Sequence, residues 1–72
     1  MTKVQSKIIY VSGINSERQY QIKQRLMNVI GVHNVAIDSD KGEILVDFET
    51  PASLNNLEKE IYDLGYQIFY LT

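Results

Sequence analysis

The chain contains no cysteine and no tryptophan, and only one histidine and one proline. Without cysteine there is no disulfide, no thiolate metal site and no redox pair. No apolar run approaches the ~20 residues that cross a bilayer, and Met1 to Lys7 lead straight into a strand-like run with no leader pattern. A cytoplasmic protein without a membrane anchor is therefore expected. An excess of basic charge is missing as well. Seven Lys and Arg against nine Asp and Glu give a net charge of −2, so nothing attracts a polyanion and nucleic acid is not an expected partner. The lone His33 has no convergent donors around it in the pattern. No Ser-His-Asp, lysine-based or paired-carboxylate set is visible, and the four glycines stand singly at turns rather than in a phosphate-cradling loop. Neither an enzyme nor a bound cofactor is expected, and 72 residues leave room for a single domain, 1–72.

What is present is a pattern of two similar halves. Ile8, Ile9, Tyr10 and Val11 predict a strand over about 4–12, ending at Ser12-Gly13. Ile22, Leu26, Val29 and Ile30 then recur at helical spacing, with Gly31 as the expected C-cap. Val35 and Ile37 alternate with small or polar neighbours, Ser39-Asp40-Lys41-Gly42 turns, and Ile44, Val46 and Phe48 resume the alternation, which predicts a hairpin. Thr50-Pro51-Ala52-Ser53 opens a second helix, with Pro51 suited to its first turn and Thr50 or Ser53 to its cap. Leu54, Leu57, Ile61 and Leu64 form the stripe of that helix, leaving Asn55, Asn56, Glu58, Lys59 and Asp63 for water. After Gly65 the run Tyr66 to Leu71 predicts a last strand. The order βαββαβ implies an α+β, ferredoxin-like fold: a four-stranded antiparallel sheet in the order 4-1-3-2 with both helices on one face.

At that level the chain resembles the heavy-metal-associated domain, the module of copper chaperones and of the cytosolic repeats of metal-transporting P-type ATPases. Val11-Ser12-Gly13-Ile14 is similar to the family's V-x-G-M, Gly31-Val32-His33-Asn34-Val35 to its G-V-x-x-V, and Leu64-Gly65-Tyr66 to its terminal L-G-Y. The family's G-M-x-C-x-x-C holds Cu(I) between two thiolates. Anchored on Gly13, those cysteines become Ser16 and Gln19; with one residue deleted from the loop, they become Asn15 and Arg18. Neither register supplies a soft donor, and Arg18 is a fixed cation that repels a metal ion. Ser16-Glu17-Arg18-Gln19 instead reads as a capping box, with Glu17 in the first turn favoured by the helix dipole. The resemblance implies a protein partner, a related metal-transport domain, engaged through the surface around Ile14, Arg18, Tyr20 and Tyr66.

A second surface follows from alternation alone. If Ile9, Val11, Val35, Ile37, Ile44, Val46, Phe48 and Ile68 face the helices, then Ile8, Tyr10, Leu45, Phe69 and Leu71 share the open side of the sheet. Such a patch predicts binding, most simply a homodimer about a two-fold axis. RNA-recognition modules stack bases on the same side, but the acidic charge and Asp47 beside Leu45 weigh against RNA. Two further expectations stay open: an ACT-like module sensing a small ligand between paired domains, and a metal-transport component using non-cysteine ligands.

Overall fold

Alternation along the strands decides which side of the sheet is covered. The computed structural model describes residues 3–69 and has the order β1 (Gln5–Ser12), α1 (Gln19–Met27), β2 (Val32–Asp38), β3 (Glu43–Phe48), α2 (Leu54–Asp63) and β4 (Gln67–Phe69). The strands lie in the order β2-β3-β1-β4, which is the expected 4-1-3-2 counted from the other edge, and every pair is antiparallel. Ile9 and Val11 from β1, Val35 from β2, and Ile44, Val46 and Phe48 from β3 turn inward. They meet Ile22 and Leu26 of α1 and Leu57 and Ile61 of α2 in one core, with Ile37 and Ile68 half-buried at its margin. Tyr70 and Leu71, expected to extend the last strand, lie outside the described residues.

The first helix is shorter than its apolar spacing predicts. It stops at Met27 with Asn28 as C-cap, so Ile30 is not a helical core residue and is 77% exposed. Gly31 is accordingly not the helix cap. It sits where the chain enters β2 against the exit of β3, and its carbonyl accepts the Glu49 N–H at 2.8 Å. The backbone there is left-handed, φ +103°, and a Cβ would stand 2.3 Å from the Glu49 carbonyl oxygen. Only a residue without a side chain lets these two segments approach so closely.

The second helix keeps its stripe, with two adjustments. Ser53 is its N-cap, its hydroxyl accepting the Asn56 N–H at 3.3 Å, while Thr50 and Pro51 stand in the turn ahead rather than in the first helical turn. Glu58, expected in water, is only 8% exposed. With Leu54 and Ile61 it follows i, i+4, i+7 spacing, so it lies along the edge of the buried stripe. At the far end Gly65 takes φ +97°; its N–H reaches the Tyr62 carbonyl and the Tyr66 N–H that of Ile61, the paired bonds of a Schellman turn. That turn folds Tyr66 back under the sheet. The two helices are clasped by Arg25 Nε donating to Glu60 Oε1 at 2.6 Å, a bond that raises the Arg25 pKa, helped by the carboxylate's charge.

Candidate functional site

The loop between β1 and α1 is the place where the resemblance puts chemistry. Here the capping box does not form. Asn15, not Ser16, starts the helical turn: its Oδ1 accepts the Arg18 N–H at 2.8 Å, and its carbonyl accepts the Gln19 N–H at 3.0 Å. The α1 N-cap position falls on Arg18, which has no side-chain cap of its own, and Glu17 lies ahead of the first turn rather than in it. Both Asn15 and Ser16 are residues that cap helices, and the geometry picks Asn15, whose side chain accepts from the N–H three residues ahead. Asn15→Ala is therefore expected to cost about 1 kcal/mol in urea unfolding, and Ser16→Ala less than about 0.5 kcal/mol. The reverse order of losses contradicts this assignment.

The side chains of this loop do not suit a thiophilic ion. Ser16 and Arg18 are exposed and Gln19 is half-buried, so an uncharged hydroxyl, a carboxamide and a guanidinium stand at or beside the places where thiolates are needed, and the Asn15 oxygen is committed to its own backbone. Among the described residues no three of His, Cys, Asp and Glu come together as a ligand group. His33 lies elsewhere, paired with Glu49 across the β2 and β3 ends. Cu(I) as cargo does not fit the donors present.

Around the loop, Ile14 is half-buried and packed against the core, while Tyr20 is 63% exposed and bonded through its hydroxyl to Gln24 Nε2 at 2.7 Å. Gln19, Tyr20 and Lys23 of α1 border a shallow depression with Ile37 of β2. Tyr66 departs from expectation. It is not on the contact surface but 4% exposed behind it, its ring edge 4.0 Å from where a Gly13 Cβ would be. Its hydroxyl is buried and has no hydrogen-bond partner among the described residues. A polar atom removed from water without a partner costs about 1–3 kcal/mol, so Tyr66→Phe is expected to stabilise the fold by about 1 kcal/mol or more, a rise of several degrees in Tm. A lower Tm for this variant would mean that the hydroxyl has a bond in solution.

The open side of the sheet is a separate region. Ile8, Leu45 and Phe69 are 46%, 40% and 54% exposed there, and Tyr10 is half-buried; Leu71 lies outside the described residues. The register sets Ile8 beside Leu45, Leu45 beside Ala36, and Tyr10 beside Phe69. Asp47 beside Leu45 is expected from alternation; the pairing of Asp38 with Glu43 emerges once the register is known.

No protein-family model matches the sequence. The fold matches that of the CsoZ metallochaperone with a TM-score of 0.91 and 45% identity, over 94% of this chain and 100% of that one. Oxidised MerP from Ralstonia metallidurans CH34 matches with a TM-score of 0.85 and 25% identity, over 93% of this chain and 96% of that one. A COP-associated protein of Helicobacter felis is 40% identical over 38 residues. That match spans 53% of this chain and 58% of the curated relative, little more than half of each. With the sheet order, the Gly13 loop and the Leu64-Gly65-Tyr66 turn in place, the chain belongs to the heavy-metal-associated, copper-chaperone-like family, as a member without the cysteine pair.

Proposed function

We propose that the chain is a docking module of metal transport that keeps the chaperone fold and carries no metal. It engages a protein, a related metal-transport domain, through the surface around Ile14, Arg18 and Tyr20, with Tyr66 supporting the loop from behind. The observation that carries this reading is the loop itself: Asn15 closes on the Arg18 N–H, and Arg18 adds a fixed positive charge at or beside the positions where the family places its thiolates. The relatives support the setting, since one is named a metallochaperone and another a COP-associated protein. A cytoplasmic, non-enzymatic role follows from the same reading; no helix among the described residues is long and apolar enough to cross a membrane.

The test is calorimetric titration of the chain against each cysteine-bearing heavy-metal-associated domain encoded in the same genome, with and without Cu(I). At least one is expected to bind whether or not this chain has been exposed to copper, and Arg18→Glu is expected to weaken that binding about tenfold, roughly 1.4 kcal/mol. Binding to none of them, or binding only after this chain is loaded with Cu(I), contradicts the reading.

A further inference from the structure

We infer that the open face of the sheet is a docking surface for a basic amphipathic helix of another protein. Charge and shape on that face point to the same occupant. The strand register puts Asp38 beside Glu43 and Asp47 beside Asn34 and Ser6, all on the side away from the helices, because their neighbours Ile44, Val46 and Phe48 are buried on the other side. Three of the chain's nine acidic residues thus flank the apolar row of Leu45, Ile8 and Phe69, and none of its seven basic residues lies on these open-facing strand positions. The remaining six acidic and seven basic residues leave the rest of the molecule at +1. All of the net negative charge is therefore concentrated on this one face.

This distribution weighs against the symmetric dimer expected from the apolar patch alone. A second copy laid face to face brings carboxylates against carboxylates around the apolar row, and juxtaposed like charges oppose association. A segment with apolar side chains on one stripe and Lys or Arg on its flanks meets both features at once. A helix is the form that suits, since a sheet face buries its apolar row most simply under a helical layer. Strands ~4.8 Å apart make the face from Ala36 of β2, beside Leu45, to Phe69 of β4 about 14 Å across, which a helix crosses in about ten residues, or three turns.

The inference rests on the reading of the chain as a docking module, yet it can fail separately: copper uptake overturns that reading and leaves this face untouched. The probe is a synthetic peptide of about 14 leucine and lysine residues at helical spacing, with a leucine and glutamate peptide as control. It is titrated into the isotope-labelled full chain by NMR. The lysine peptide is expected to shift the amides of Ile8, Leu45 and Phe69, the glutamate peptide to leave them in place, and affinity to fall about tenfold between about 0.05 M and 0.3 M salt. The variant Asp38→Asn/Glu43→Gln/Asp47→Asn is expected to weaken binding about tenfold without unfolding. Its amides keep the oxygen acceptors that Asp38 offers to the Asp40 and Lys41 N–H groups and Asp47 to Ser6 Oγ. A second variant, Leu45→Lys, is expected to abolish the shifts at Ile8. Shifts mapping to the helices, equal binding of the glutamate peptide, self-association of the chain through Ile8 and Leu45, or shifts of these amides by single-stranded RNA in place of the peptide each overturn the inference.

Discussion

Gly31→Ala is expected to destabilise the chain by roughly 3–5 kcal/mol, much or all of what a domain of this size has to lose. Two costs combine at this position. An L-residue at φ +103° is strained by about 1–3 kcal/mol. The added Cβ also meets the Glu49 oxygen at 2.3 Å, the Ala52 nitrogen at 2.9 Å and the Ala52 Cβ at 3.0 Å, and backbone atoms cannot swing aside as a side-chain tip can. Gly65 separates the two costs, because it shares the left-handed backbone, φ +97°, yet has nothing within 4 Å of the added carbon. Gly65→Ala is expected to cost about 1 kcal/mol. Urea unfolding of both variants checks the difference; equal losses would show that the backbone conformation alone matters and that the approach of β2 to the β3 exit is looser than described.

The second large effect is expected from Phe48→Ala, at about 3–5 kcal/mol. Phe48 is 2% exposed and pairs with Gln5 on one neighbouring strand and Val32 on the other, on the side covered by the helices. Removing its ring deletes buried apolar surface and leaves a hole bounded by strands that cannot collapse freely. Leu45, three residues earlier and on the opposite side, is 40% exposed, and Leu45→Ala is expected to cost less than about 1 kcal/mol. Comparable losses from the two variants would mean that both sides of the sheet are covered, which removes the basis for a docking face there.

That contrast also shows how the sequence could be read so far. In β3 a polar or exposed residue follows each buried one, so Ile44, Val46 and Phe48 announce their side of the sheet without any knowledge of the partner strands. The same period fixed the hairpin and the order of elements. Helix ends were harder, because their signals are local and degenerate. Asn15 and Ser16 are adjacent and both cap, so only the geometry of the turn distinguishes them. Ile30 has helical spacing but lies past Asn28, where the chain must unwind to bring Gly31 against Glu49, a contact across the sheet that no local pattern encodes. Tyr66 follows a glycine in a short connection, the usual setting of an exposed residue, and is buried because the Schellman bonds reverse the chain there. The charge of the open face was legible only in part: alternation sets Asp47 beside Leu45 there, whereas Asp38 joins Glu43 only through the pairing of β2 with β3.

A family member that keeps the fold and carries no metal, as proposed, must leave Cu(I) to a competitor. Competition for Cu(I) between the purified chain and a chromophoric Cu(I) chelator tests it most directly. With Asn15, Ser16, Arg18 and Gln19 as the side chains that the two registers place at the family's ligand positions, the chelator is expected to keep all of the copper at micromolar protein, as it does against a generic protein with no soft-donor site. Stoichiometric retention of Cu(I) by the chain at submicromolar affinity would contradict the account.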